Sequence, residues 1–358
     1  MPSVLCPVVL HPDSVRHDPA AEIWIGLRTP GTETAERVTR IAESLADAGH
    51  PTVPARAHDD TILREVHSPE LLDHLATLWQ RWDDAGYPAL GADRVVPYMF
   101  ATDEVRHGLP PRVPSALHAQ VSQYAYDTMT LVGPGSWEAI RGSIDAALTA
   151  VDLVVAGVPL AYALTRPPGH HATRAAYGGS CYLNNAAVAA AALRAGGHER
   201  VAIVDIDAHH GNGTQAIFYD RGDVLYASVH VDPGAGWFPH HIGFADETGR
   251  GAGAGANRNV PLAPGSDDDA WLAGVALCAE VVAAHGASAL VVSLGVDAAA
   301  DDPESPLQVT TSGYQRAGQL LAGLDLPTVA VQEGGYHLPT LGRLVASTLD
   351  GLTRRPNG

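Results

Sequence analysis

The sequence predicts an α/β fold, a three-layer αβα sandwich around a mostly parallel central sheet, and three observations carry that prediction. Short apolar runs alternate with helical patterns over most of the 358 residues, the order that gives a parallel sheet helices on both faces. The apolar runs fall well short of the roughly 20 residues a bilayer crossing needs, so no span is expected. Hydrophobic residues make up 46% and charged residues 17%, which supports a large core and excludes wholesale disorder.

In chain order, strands are expected over 4–10, 160–165, 201–205, 224–229, 289–294 and 328–331. Helices are expected over 33–49, 69–85, 115–131, 137–156, 184–195, 267–285, 312–324 and 339–352. The segment 33–49 illustrates the helical half: Val38, Ile41 and Leu45 recur three and four apart, and Gly49 stands where a helix stops. The Pro-rich 87–114 and the Gly-rich 232–264 lack clear periodicity and read as long loops, which inside a compact domain are usually functional. Without a composition break or repeat, residues 1–358 read as one domain with a loop insertion at about 87–114.

Charge and cysteine usage narrow the partners. The net charge is −18, and all 22 basic residues are Arg, so a phosphate backbone would meet general repulsion and nucleic acid is not expected. The acidic balance either favours a cationic substrate or simply keeps the chain in solution. Cys6, Cys181 and Cys278 are odd in number and widely spaced, which argues against disulfides and against a Cys-rich zinc site. The first residues have neither the basic head nor the cleavage site of a secretory signal, giving a cytoplasmic expectation.

Ligands of open α/β sheets sit beyond the carboxyl ends of strands, and four strand ends here are unusually polar. They are Arg166-Pro-Pro-Gly-His170-His171, Asp205-Ile-Asp207-Ala-His209-His210-Gly-Asn212, the segment reaching Asp297, and Glu333-Gly-Gly-Tyr336. Asp207 and His209 are two apart, so on an extended segment both point to one side, and Asp297 would complete a His-plus-two-carboxylate metal site with open positions. His170 and His171, presented by a rigid Pro-Pro-Gly turn, suit either metal ligation or proton transfer, with Asp205 and Asn212 as partners that set tautomer and charge. Tyr336 follows two glycines and is either an oxyanion donor or a packed aromatic.

These motifs, with Gly178-Gly-Ser-Cys-Tyr-Leu-Asn-Asn, resemble the arginase/deacetylase superfamily on its histone deacetylase side, most nearly the acetylpolyamine amidohydrolases. The similarity runs from His67-Ser-Pro-Glu through Trp79-Gln-Arg-Trp to the last helix. The resemblance implies that family's fold and a hydrolase that removes acetyl groups from N-acetylated amines, small acetylpolyamine-type molecules above all. It implies Zn2+ on Asp207, His209 and Asp297, with Fe2+ or Co2+ as workable substitutes. His171 matches the general base, backed by Asn212; His170 matches the second histidine, backed by Asp205; Tyr336 matches the phenol that polarises the amide carbonyl. Structural K+ is implied at Asp205, Asp207, His209 and Ser228, with a second monovalent site near Phe218, Arg221 and Val224. A homodimer shaped by the long loop is also implied.

The arginase branch would need further carboxylates where this chain has Gly211 and Ala299, so one catalytic ion is expected. The channel differs from the family pattern: Ser180 replaces a wall aromatic, and the opposite wall is Trp237 or Phe238. His118 and Met129 occupy positions matched to acidic ones, and no acid to grip a distant ammonium is evident in 114–132. A deacetylase of acetyl-lysine or of a bulkier specialised metabolite is the enzymatic alternative; a non-catalytic metal-binding sensor is the alternative of another class.

Overall fold

The computed structural model describes residues 5–353. Its strands are β1 (Val8–Leu10), β2 (Glu22–Trp24), β3 (Leu27–Thr29), β4 (Thr52–Pro54), β5 (Leu160–Ala163), β6 (Val201–Asp205), β7 (Val224–Val231), β8 (Asn257–Leu262), β9 (Ala289–Leu294) and β10 (Thr328–Gln332). Its α-helices are α1 (Glu36–Asp47), α2 (Thr61–Val66), α3 (Pro69–Asp84), α4 (Leu117–Gln120), α5 (Ser136–Val155), α6 (Asn185–Ala195), α7 (Asn212–Phe218), α8 (Asp268–His285), α9 (Thr311–Ala322) and α10 (Leu338–Thr353).

Eight strands form one sheet in the order β4-β1-β5-β10-β9-β6-β7-β8, and every pairing within it is parallel. The side-chain period of two then sorts each strand between two cores. Val201 and Ile203 of β6 join a core with α2, α3, α5 and α6, whereas Ala202 and Val204 join one with α1, α8, α9 and α10. The four polar strand ends belong to β5, β10, β9 and β6, which are consecutive neighbours. Convergence of those residues is therefore a consequence of strand order. Asp205 lies in register between Ser293 of β9 and Ser228 of β7, with no solvent on either side.

Several expectations need correction. The helix over 115–131 is present only as α4 and a following 3-10 turn; beyond it Asp127 folds the chain by accepting from the N–H groups of Met129 and Thr130, both at 2.9 Å. An aspartate that binds the backbone ahead of it competes with helix. The segment 232–264, read as loop, contains β8, a sheet-edge strand of weak apolar character. The strand expected over 4–10 is observed as Val8–Leu10, and Val4 lies outside the described residues. The short β4, α2, α7 and the antiparallel hairpin β2-β3 carried too little periodicity to be read. Among the described residues no helix is long and apolar enough to cross a membrane.

Candidate active site

Two buried carboxylates and a half-buried histidine beyond β6 and β9 converge: one ligand atom from each of Asp207, His209 and Asp297 lies within 4.8 Å of the others. His209 Nδ1 is 3.0 Å from Asp297 Oδ2 and 3.4 Å from Asp207 Oδ1. Ligand atoms around a tetrahedral ion with bonds of about 2.1 Å stand roughly 3.4 Å apart, so the trio fits one divalent ion. The remaining carboxylate oxygens are aimed by backbone donors: Gly334 N–H on Asp207 Oδ2 at 2.8 Å and Ala208 N–H on Asp297 Oδ1 at 2.7 Å. Burial, and then the charge of Asp207, push the Asp297 carboxyl up to about 7, the signature of carboxylates wanting a cation. A Cβ on Gly334 would stand 2.4 Å from Asp297 Oδ2 and 2.6 Å from Asp207 Oδ2, so glycine there keeps the cradle open. At the two positions that separate the one-metal from the two-metal branch, Ala299 is buried and Gly211 has no room for a side chain, its Cβ falling 2.5 Å from Asp205 Oδ2.

Beside this trio the structure brings together two histidine pairs. His170 Nδ1 meets Asp205 Oδ2 at 3.0 Å, and His171 Nδ1 meets Asn212 Oδ1 at 2.7 Å, with the two rings 4.0 Å apart. Their electrostatics diverge. Burial alone would lower both, but the charges of Asp207 and Asp205 outweigh it at His170 and raise it to about 10. At His171 burial is reinforced by His170 and His209, and the imidazole is held well below its ordinary value. Because an amide oxygen only accepts, His171 carries its proton on Nδ1 and leaves Nε2 with a free lone pair.

Tyr336 lines the same inner cavity as His171 and His209. Burial keeps its phenol protonated, well above the usual value. Its backbone N–H donates to Asp302 Oδ2 at 2.7 Å, and the Arg37 guanidinium sits over its ring at 4.8 Å. Arg37 also donates to the carbonyls of Gly335 and Glu333, each at 2.6 Å, and to Glu33 Oε1 at 2.8 Å; the same Glu33 oxygen accepts from Arg166 Nε at 2.8 Å. This buried cluster ties the Tyr336 segment to α1 and to the turn carrying His170. Sequence reading passed over Arg37 and Glu33, whose i,i+4 spacing looks like an ordinary surface pair.

The inner cavity encloses about 80 Å³ and is lined by Met129, Gly179, Ser180 and Phe238 as well as by the catalytic candidates. Phe238 stands edge-on to His171 with centroids 4.7 Å apart, whereas Trp237 lines only the outer mouth and packs toward the α8 core. Of the two candidates, Phe238 is the one that lines the inner cavity. Ser180, at φ +61°, lines the same cavity and brings no aromatic ring to it. Asp127 is spent on the turn, taking the Gly179 N–H as well, and His118 is bonded to the Tyr87 hydroxyl at 2.7 Å.

Two acids that sequence reading missed do line the cavity: Glu22 of β2 and Glu304, seven residues beyond Asp297. Thr32 joins them, its hydroxyl donating to Glu304 Oε1 at 2.9 Å and its N–H to Glu22 Oε1 at 3.4 Å. Burial, then Glu304, raise Glu22 to about 7, and the other charges that act on it, Glu33 and Asp127, are acidic too. The only sequence signal was an acid following a metal-ligand strand end.

At the positions implied for monovalent ions, the Ser228 hydroxyl bonds His230 Nδ1 at 2.7 Å and Asp205 Oδ2 accepts from the Tyr226 hydroxyl at 3.0 Å. The Phe218 carbonyl accepts the Arg221 N–H at 2.9 Å, closing the turn that leads to Val224 at the start of β7.

The parallel sheet, the carboxylate–histidine trio at its strand ends and the paired histidines define a metal-dependent amide hydrolase. The profile described as "Histone deacetylase domain" matches residues 31–352, and the chain belongs to that family. It is 40% identical over 347 residues to the acetylpolyamine amidohydrolase of Mycoplana ramosa, covering 96% of this chain and 99% of that one. It is 39% identical over 337 residues to acetylpolyamine amidohydrolase 1 of Pseudomonas aeruginosa, covering 94% and 95%. The crystal structure of acetylpolyamine aminohydrolase from Burkholderia pseudomallei superposes with a TM-score of 0.90 at 39% identity, covering 97% of this chain and 98% of that one.

Proposed function

We propose that the protein hydrolyses the amide of N-acetylated diamines and polyamines, releasing acetate and the free amine. The observation that carries the substrate class is the Glu22 and Glu304 pair in the cavity that also holds His171 and Tyr336. An acetylated amine with a second, cationic nitrogen would neutralise that pair while its amide faces the base. The relatives named above support the same substrate.

In this reading Asp207, His209 and Asp297 hold Zn2+, with Fe2+ or Co2+ able to replace it. The chemistry such an ion supplies is Lewis acidity toward the amide oxygen and a water of lowered pKa. His171 takes a proton from the attacking water at Nε2 and passes it to the leaving nitrogen, while Asn212 holds the ring. His170, kept charged by Asp205 and Asp207, steadies developing negative charge. The Tyr336 O–H donates to the carbonyl oxygen as it becomes an oxyanion. Phe238 and Ser180 flank the acyl chain. K+ at Asp205 and Ser228, and a second monovalent ion at the Phe218, Arg221 and Val224 carbonyls, would brace the loop carrying Asp207 and His209; replacing K+ by a large organic cation should then lower thermal stability.

The long loop supports a homodimer: Tyr98, Val105, Leu109 and Val113 are all more than half exposed, apolar surface that a second copy would cover. Sedimentation at micromolar concentration tests this. The three free, buried thiols support a reducing, cytoplasmic setting.

The test of function is acetate release by the zinc-loaded protein on acetylputrescine, acetylcadaverine, acetylspermidine, an acetyl-lysine peptide and N-acetyl amino sugars. Preference for the diamines and polyamines is expected. A second reading, a deacetylase of bulkier metabolites, is favoured by Ser180 and by the outer mouth of about 940 Å³. Turnover confined to neutral or bulky amides would establish it instead.

A further inference from the structure

Phe238 belongs to the loop between β7 and β8, and a buried polar network fastens that loop from beneath. The Glu247 carboxylate accepts from Gln215 Nε2 at 2.6 Å, the Gly243 N–H at 2.9 Å and Asn259 Nδ2 at 3.2 Å. A carboxylate only accepts, so it turns the Gln215 amide nitrogen toward itself and the amide oxygen inward. That oxygen then receives Asn259 at 2.8 Å, Asn257 at 2.9 Å and His210 Nε2 at 3.0 Å. The Asn side chains also hold the Phe244 and Glu247 carbonyls, at 3.1 and 2.6 Å, and His230 Nε2 holds the Gly243 carbonyl at 2.9 Å. Gly243, at φ +111°, lies so close that a Cβ would stand 2.7 Å from His210 Cγ, leaving glycine as the residue that lets the loop settle.

The far end of the network is the catalytic face. Gln215 lies one turn along α7 from Asn212, the partner of His171, and His210 is next to His209. Asn257 Oδ1, Asn259 Oδ1 and His210 Nδ1 are left without a partner, so the bonds converging on the Gln215 oxygen and the half-buried Glu247 carboxylate are what join these segments. Ser180 and Phe238 both line the cavity, and Phe238, edge-on to His171 at 4.7 Å, is the aromatic that bounds it beside that histidine.

We propose that Glu247 and Gln215 are positioning residues that hold the Phe238 wall against His171 and thereby select the small acetyl group. Neither touches the reacting atoms; both act through the loop. The inference rests on the amide-hydrolase reading and is independent of which amine is preferred.

The test is a double-mutant cycle on the zinc-loaded full chain, using the acetylated amine that the wild type turns over best and its N-butanoyl analogue. Glu247→Ala is expected to raise KM for the acetyl substrate by roughly three- to tenfold, to change kcat less than twofold and to improve the relative kcat/KM of the butanoyl substrate. Glu247→Gln, which keeps one acceptor oxygen, should recover most of the loss. In a Phe238→Ala background Glu247→Ala should have no further effect on KM. Equal KM shifts in both backgrounds, or a fall in thermal stability with the kinetics unchanged, overturn the proposal. Should Glu247→Ala not fold, the same cycle run with Gln215→Ala, which removes the other half of the pair, decides it by the same criterion. A wild type inactive on every amide would refute the hydrolase reading; an active wild type without coupling refutes this inference alone.

Discussion

The inner site and the mouth are built by different means. Asp205, Asp207, Asp297, His170 and His171 are buried, each bonded to a backbone or side-chain partner, and each set by the end of a central strand or by the turn after one. Glu22, Thr32, Met129, Ser180, Phe238 and Glu304 come from a hairpin and five separate connecting segments, and are only partly buried. The chemistry sits on the rigid sheet and selection on the connections around it, so the second can change without disturbing the first.

That division predicts which kinetic constant each change moves. Removing the metal with a chelator, or the ligand by Asp297→Ala, should abolish acetate release by at least about a thousandfold for every substrate, with metal analysis showing loss of the ion and zinc restoring only the wild type. Next in size, Tyr336→Phe should lower kcat roughly 100- to 1,000-fold, the usual cost of one oxyanion donor, with metal content and KM little changed. A KM effect dominating there would break the division from the inside.

At the mouth the effects are smaller and depend on substrate charge. Glu304→Gln should raise KM for a cationic acetyldiamine about tenfold, roughly 1.4 kcal/mol, and leave a neutral N-acetyl substrate unchanged. Equal loss on both would make Glu304 structural. The smallest effect is one of pH. Burial and Glu304 lift Glu22 to about 7, so its carboxylate is protonated below that value and charged above it. A cation binds the charged form, and KM for the acetyldiamine should therefore fall as pH rises from 6 to 8, by roughly five- to tenfold. In Glu304→Gln the inflection should move to lower pH, because the neighbouring charge that raises Glu22 is gone. A flat KM profile would separate Glu22 from ammonium recognition.

Legibility in the sequence followed the same line. β6 could be read because a run of buried apolar residues ends abruptly in Asp205, and Asp207 and His209 follow at a spacing that shares one side. The helix expected over 115–131 failed where Asp127 bonds the backbone ahead of it, a local competition that apolar spacing does not register. β8 was hidden because an edge strand buries less and alternates weakly. Phe238 and Trp237 are adjacent in sequence, and only the loop's path over His210 decides which ring meets His171.

The sequence by itself determined the layered α/β architecture, the family resemblance and the residues of the metal trio and the histidine pairs, because burial on both faces and strand-end polarity are written in short, local patterns. Tertiary structure alone decided that Glu22, from near the start of the chain, and Glu304, from near its end, meet over one threonine. It also decided that Arg37 lies over Tyr336 and that Glu247, in the Phe238 loop, accepts from Gln215 of α7. Those contacts join segments separated by tens to hundreds of residues, and no local periodicity encodes a distance between them.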